Sequence, residues 1–371
     1  MHLALYRKFR PKSFDEVIGQ DAIVNSLKNQ VVSNKIGHAY LFTGTRGTGK
    51  TSCAKIFAKA INCESPINGS PCGKCNTCKA LEDASNVDVL EIDAASNNGV
   101  NEIRDLREKI KYPPVVGRYK VYIVDEVHML TDSAFNALLK TLEEPPEHAV
   151  FILATTEAYK LPATILSRCM RFDFKLVGLE ELKRHLKKVL EMSGISCDEK
   201  SLEAIGIAGN GSVRDMLSVA DCVVSYCGDK ITFDKTLEVL GTSEKEGLYT
   251  LVNGIIDAQF GVILEKIDEL CKSGKNLVSL GRDLVVCFKN LLVIKNCGEP
   301  QKILTLPKDE FEILKDISEK ISSKKLLLFM EKFGAIENEL KYALSPRTLV
   351  ELVCLECASV DDGEVFDVKK N

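Results

Sequence analysis

The sequence has no run of about 18 apolar residues, the length a helix needs to cross a bilayer. Its most apolar stretch, LVVCFKNLLVIKN, is broken by lysines. It lacks the pattern of a secretory signal, because MHLALYRKFRPKSF puts a few apolar residues before a basic run rather than after one. It also lacks a surplus of positive charge: 49 Lys and Arg stand against 53 Asp and Glu, a net of -4, so there is no global mark of a nucleic-acid binder. Internal repeats and low-complexity tracts are missing too, which excludes solenoids and repeat arrays. These absences leave a globular chain with no membrane partner, for which a cytoplasmic location is expected. At 371 residues, 45% hydrophobic and 27% charged, it is long enough for two or three domains.

Charge is uneven along the chain. Residues 1–60 carry ten Lys and Arg against three Asp and Glu, an excess of seven, so the remainder is acidic by eleven. A basic face, or the basic surround of a phosphate site, therefore belongs to the first domain. Fourteen cysteines are present, and without a signal they read as reduced thiols and metal ligands rather than disulfides.

The first 170 residues alternate short apolar runs with amphipathic segments. HAYLFTG, VDVLEID, KVYIVDE and AVFILATT predict buried strands. TDSAFNALLKTLEEPP predicts a helix, with Phe135, Leu138, Leu139 and Leu142 at i, i+3, i+4, i+7 and a stop at Pro145. Such alternation predicts a parallel α/β sheet. After about residue 175 the strand signals stop and helical patterns continue to about residue 358.

GTRGTGKT fits G-x-x-x-x-G-K-[ST], follows a predicted strand and opens a predicted helix. Its residues Gly44, Thr45, Arg46, Gly47, Thr48, Gly49, Lys50 and Thr51, with Ser52 behind them, are candidates for cradling phosphates. Glycines let backbone N–H groups converge on phosphate oxygens, and the helix N-terminus adds a favourable dipole. Lys50 would pair the β- and γ-phosphates of ATP, and the Thr51 hydroxyl would coordinate Mg²⁺. In VYIVDEVHM a strand ends in two acids. Adjacent strand residues point to opposite sides, so Asp125 would hold the Mg²⁺ shell while Glu126 polarises the attacking water. His128 is assigned no role.

Cys63, Cys72, Cys75 and Cys78 are spaced C-x8-C-x2-C-x2-C, with Pro and Gly in the turns. Two successive C-x2-C steps let four thiolates converge on a tetrahedral Zn²⁺, and four ligands close the site, so the metal would be structural. Two disulfides are the competing arrangement, disfavoured in a reducing compartment. The segment is too short for a core of its own and would be held by metal instead. Cys354 and Cys357 also form C-x2-C, but within a helical apolar pattern, where buried packing is expected; Cys169 is likewise expected to pack.

The ordered set YRKFRPKSFDEVIGQ, GTRGTGKT, DEVHML, NALLKTLEEPPEH, LATT, LPATILSRC and GSVRDMLS, together with the cysteine quartet, resembles the bacterial DNA polymerase III gamma/tau family of clamp-loader ATPases, within the AAA+ class. The resemblance is dense over residues 5–220 and looser beyond. It implies an α/β P-loop NTPase (AAA+) domain with a parallel sheet at 1–177, carrying an inserted zinc module at about 62–80. An α-helical lid would follow at 178–241, an α-helical collar domain at 242–358 and a polar tail at 359–371.

Position by position, the resemblance gives Thr156 as the polar residue sensing the γ-phosphate, with Thr155 the alternative. It gives Arg168 as an arginine finger acting in trans on a neighbour's ATP, and Arg214 as the lid arginine reaching the phosphates of its own subunit. Arg10 and Pro11, with Val17 to Gly19, would pack against adenine. By residue type alone Arg168 is an ordinary surface arginine. The implied function is an ATPase that loads the sliding clamp onto primer–template DNA, together with clamp-loader subunits delta and delta-prime and further copies of itself. Contacts with polymerase and helicase are expected to need C-terminal regions this chain lacks, and no polymerase active site of its own is expected. A branch-migration helicase would be expected to carry a winged-helix domain instead. A delta-prime-like scaffold would have lost the working P-loop, which is intact here.

Overall fold

A computed structural model describes residues 3–83, 86–240, 242–304, 306–340 and 342–360. The predicted polar tail therefore lies almost wholly outside the described residues. Contacts divide the chain after Phe233 into two units, 1–233 and 234–371.

In the first unit the apolar runs form β1 (Ala39–Thr43), β2 (Val89–Asp93), β3 (Lys120–Asp125), β4 (Ala149–Thr155) and β5 (Met170–Asp173). All pair in parallel, in the order β2–β3–β4–β1–β5. The helices of this region are α1 (Leu5–Lys8), α2 (Asp21–Ser33), α3 (Lys50–Asn62), α4 (Asn76–Ala80), α5 (Val100–Ile110), α6 (Asp132–Glu143) and α7 (Ala163–Leu166). Successive strand residues face opposite ways, and both faces of the three central strands β3, β4 and β1 are buried. Tyr40, Phe42, Val121, Ile123, Val150 and Ile152 join a core with Leu27 of α2 and Ala54, Phe57 and Ile61 of α3. Leu41, Tyr122, Val124, Phe151 and Leu153 join another with Ile103 and Leu106 of α5 and Leu138 and Leu142 of α6. Burial on both sides is why these strands read as continuous apolar runs.

Two strands depart from expectation. VDVLEID was predicted buried, yet β2 is half-exposed because it lies at the edge of the sheet. β5 was not anticipated: it is the opposite edge, and of its four residues only Phe172 is buried, so no apolar pattern marks it. α6 forms as expected, with the Thr131 side chain accepting from the Ala134 N–H at its start, although Leu139 is only half-buried.

Just before β2, the buried carboxylate of Asp88 accepts from the N–H groups of Val115, Val116 and Gly117 at 2.7, 2.7 and 3.0 Å. This holds the loop that enters β3. Burial pushes its pKa up, but those three N–H groups and Lys120 more than offset it, and the net value lies below the ordinary one.

Beyond the sheet lie α8 (Leu179–Met192), α9 (Glu199–Ala208) and α10 (Val213–Cys227). Asp198 and Ser212 cap α9 and α10 through the N–H groups of Ser201 and Asp215. Strands were not expected here, but β6 (Ser196–Cys197) and β7 (Lys230–Ile231) pair in parallel; two residues are too few for any periodicity to show. The Leu5 N–H donates to Asp221 Oδ2 at 2.8 Å, fastening α1 to α10.

The second unit is helical: α11 (Phe233–Leu240), α12 (Thr242–Ile256), α13 (Phe260–Lys272), α14 (Leu277–Asn296), α15 (Lys308–Glu319), α16 (Ser323–Leu340) and α17 (Pro346–Ala358). Its core centres on Leu284, Phe288 and Leu291 of α14 with Phe329 and Phe333 of α16, the Phe288 and Phe329 rings meeting edge-on at 5.3 Å. LVVCFKNLLVIKN is part of α14, and its lysines sit on the exposed face. Cys354 and Cys357 are buried in the α17 packing, as expected. Among the described residues no helix is long and apolar enough to cross a membrane.

Asp88→Ala should leave three loop N–H groups without their acceptor and destabilise the first unit by about 3 kcal/mol, read as a lowered urea midpoint. The folded pKa lies below the unfolded one, so the wild-type contribution is present above the ordinary carboxylate pKa and is lost as pH falls through the depressed value. A wild-type-like midpoint at neutral pH would remove this role.

Candidate nucleotide site and cysteine cluster

β1 delivers the chain into the glycine-rich loop at the C-terminal edge of the sheet, where ligands of open α/β folds bind. Two of its glycines are required by contact as well as by conformation. Gly44 has φ 136°, and a Cβ there would meet the Phe174 carbonyl oxygen at 2.3 Å. Gly47 has φ 78°, and a Cβ would fall 1.9 Å from Ser212 Oγ. The loop and the start of α10 therefore interlock, and the Val213 N–H donates to the Gly47 carbonyl at 3.2 Å. α3 begins at Lys50 with no side chain capping its first turn, so those N–H groups face the loop's concavity.

Lys50 curls over the loop, its Nζ donating to the Gly44 and Thr45 carbonyls, both at 2.8 Å. Burial lowers its pKa, while Glu126 and Asp125 pull it back up. The Thr51 hydroxyl donates to Asp125 Oδ2 at 2.7 Å, joining the two motifs across 74 residues of chain. Glu126 takes a left-handed conformation (φ 46°) that turns it away from Asp125. Its Oε2 accepts from the Thr156 N–H at 3.2 Å and from the Thr156 hydroxyl at 3.1 Å.

These groups open on a cleft of about 810 Å³. Residues 46–52, Asp125 and Glu126 line it, as do Arg10, Pro11 and Arg214. Arg10 also donates to Ser52 Oγ at 3.2 Å. Gly44 and Thr45 form the loop wall behind the lining, and Thr156 stands behind Glu126. Thr155, the alternative, is fully buried and bonds His128. Arg168 is not in the cleft. Its Nη2 donates to Glu143 at 2.8 Å and its Nη1 to the Thr164 carbonyl at 2.8 Å, with the side chain one-third exposed. Cys169 packs beside the sheet, where burial pushes its thiol up to about 11.

Sequence reasoning missed several residues of the site. Tyr6 lies under Arg214, whose guanidinium stands 5.3 Å from the ring centroid. His185 of α8 also lines the cleft. Buried Gln20 donates to the Lys175 carbonyl at 2.7 Å and accepts from its N–H at 3.1 Å, fixing the chain that leaves β5. Only its place in the VIGQ segment could have flagged Gln20, and no local pattern marks Tyr6 or His185.

The four cysteines also converge. The Sγ atoms of Cys63, Cys72, Cys75 and Cys78 all lie within 4.8 Å of one another, Cys72 and Cys78 at 4.0 Å. A tetrahedron of Zn–S bonds near 2.3 Å has edges of about 3.8 Å, so the set fits such an ion. A disulfide needs sulfurs near 2 Å, and all fourteen cysteines are free thiols. Backbone N–H groups point at the sulfurs: Cys72 to Cys63 at 3.3 Å, Cys75 to Cys72 at 3.4 Å and Cys78 to Cys75 at 3.3 Å. The N–H groups of Lys74 and Cys75 bring the Cys72 thiol down to about 6, whereas burial pushes those of Cys63 and Cys78 up. Glu64 closes the module, accepting from the N–H and hydroxyl of Thr77.

Gly47→Ala should disturb the loop–α10 junction and lower the melting temperature. Adding Ser212→Ala should offset part of the loss by removing the clashing oxygen, leaving the positive-φ cost and the lost α10 cap, about 1 kcal/mol each. Additive losses in the double variant would contradict the interlock.

Residues 19–177 match a family described as DNA polymerase III, delta subunit, residues 181–229 the DNA polymerase III clamp loader subunit, ATPase lid domain, and residues 231–365 DNA polymerase III subunits gamma and tau domain III. The DNA polymerase III subunit tau of Bacillus subtilis (strain 168) is 42% identical over 365 residues, spanning 98% of this chain and 65% of that protein. The chain thus spans just under two thirds of that relative. The DNA polymerase III subunit gamma of Buchnera aphidicola subsp. Schizaphis graminum is 36% identical, spanning 95% of this chain and 97% of that one. Among solved structures, the Thermotoga maritima RuvB Holliday junction branch migration motor is 20% identical with a TM-score of 0.49, covering 67% of this chain and 80% of that one, a likeness too distant to bear on function. The near-complete match to the Buchnera subunit, with the gamma and tau domain over the carboxy-terminal third, shows that this chain belongs to the DNA polymerase III gamma/tau subunit family.

Proposed function

We propose that this chain is the ATP-hydrolysing motor subunit of a DNA polymerase III clamp loader, which places a sliding clamp on primed DNA. The observation that carries the reading is the Thr51–Asp125 hydrogen bond at 2.7 Å beside buried Lys50 and adjacent Glu126, which assembles both halves of a nucleotide site in one cleft. The loop N–H groups and Lys50 would bind the triphosphate. Mg²⁺, held by Thr51 and Asp125, would neutralise charge across the β- and γ-phosphates. Glu126 would accept a proton from the attacking water. Arg10 and Pro11, on the cleft wall, would flank the base.

Thr156, on the far side of Glu126, would read the γ-phosphate from the end of β4. Arg214 would swing from above Tyr6 to the phosphates and carry the lid with it. Arg168, outside this chain's own cleft, would complete the neighbouring subunit's site, where a trans arginine contributes ~10³–10⁵ in rate. Residues 1–177 would then be the motor domain, 178–241 the lid and 242–358 the collar through which copies join with delta and delta-prime. Cys63, Cys72, Cys75 and Cys78 would hold a structural Zn²⁺, making residues 62–80 a rigid contact surface.

The test is ATP turnover by the chain mixed with delta, delta-prime, clamp and primed DNA. Lys50→Ala should abolish nucleotide binding. Arg168→Ala should bind ATP nearly normally and lose DNA-stimulated turnover; normal stimulation would exclude the trans role. No turnover by the wild-type mixture would sink the motor reading and leave a passive scaffold. Metal analysis should find one zinc per chain, lost when Cys72 and Cys75 are both changed to Ser; retention in that variant would reject the cysteine site.

A further inference from the structure

His128 stands at the one place where the acids of the β3 and β4 ends meet. Its side chain is 7% exposed. Nε2 lies 3.0 Å from Glu157 Oε2, and Nδ1 lies 3.0 Å from Thr155 Oγ1 and 3.4 Å from Glu126 Oε2. Glu157 is itself held from the other side, by Lys160 Nζ at 2.7 Å and the Tyr159 hydroxyl at 2.6 Å. Those two partners keep Glu157 below the usual carboxylate range, so it is an acceptor.

A carboxylate acceptor at Nε2 requires a proton there, so Glu157 fixes one edge of the ring. Nδ1 is hydrogen-bonded to the Thr155 hydroxyl, whose oxygen also accepts from the Glu157 N–H at 3.0 Å. The same edge of the ring lies 3.4 Å from Glu126 Oε2. The same Glu126 oxygen accepts from the Thr156 N–H and hydroxyl.

We infer that His128 is a positioning residue for Glu126: held by Glu157 at Nε2 and Thr155 at Nδ1, the buried imidazole is a rigid wall that confines the carboxylate. This deepens the reading of Glu126 as general base and rests on it. A free glutamate side chain samples many rotamers, and general-base catalysis depends on alignment at the ångström scale.

The test compares His128→Asn, His128→Gln and His128→Ala in the reconstituted, DNA-stimulated ATPase. Asn keeps a polar atom near the Nδ1 position, against Thr155 and Glu126; Gln keeps one near Nε2, against Glu157 only. Gln and Ala should lose 10- to 100-fold in kcat, with the KM for ATP and the melting temperature close to wild type, and Asn should recover most of the loss. Unchanged kcat in Gln, a loss appearing in KM instead, or melting temperatures that track activity across all three variants would overturn the positioning role. Should Ala fail to fold, the Asn–Gln pair carries the comparison. Absence of turnover in the wild type would count against the Glu126 reading itself, a result distinct from a wild type that turns over and is indifferent to residue 128.

Discussion

The Thr51 hydroxyl can reach Asp125 only because of the strand order. β4 separates β1 from β3, so the ends of those two strands stand about two strand spacings apart, roughly 9.5 Å. The glycine-rich loop leaves β1 and turns over that gap, and α3 starts with Thr51 facing the end of β3. Changing the order of the sheet would leave each motif intact in the sequence while separating them in space. The chemistry proposed for this chain depends on that crossing.

A second constraint is the left-handed backbone of Glu126. Asp125 is still in the strand and points at Thr51, whereas its neighbour has left the strand and is turned towards Thr156 and His128. A non-glycine residue in that region is uncommon and is retained where its surroundings enforce it. Here the Asp125 carboxylate accepts the Glu126 N–H at 3.0 Å, so the acid that binds the Thr51 hydroxyl also fixes the backbone of its neighbour.

The peripheral parts are held by different means because they bury different amounts of apolar surface. The loop before β3 is held by one buried carboxylate, and the segment with four cysteines by convergent sulfurs and their N–H donors. The α8–α10 region, by contrast, has a small core of its own and closes on the loop through Gly47 and Ser212. Its junction with the loop is tight at the first turn of α10, which carries Arg214.

Much of the site was legible because it is local in sequence. The loop fits within eight residues, the two acids are adjacent and the cysteines lie within sixteen, so spacing alone carries their chemistry. The central strands were legible as well, because burial on both faces writes a continuous apolar run; the edges β2 and β5 were misread or missed because exposure erases that pattern. Tyr6, Gln20, His128 and His185 were not legible. Each acts through a partner far along the chain or on another strand end, and a lone tyrosine, glutamine or histidine has no spacing to reveal it. Residue types close in sequence determined which chemistry is available, while the order of the sheet and the closure of α10 decided which of those groups meet, since a contact between distant segments is a property of packing and leaves no periodic trace.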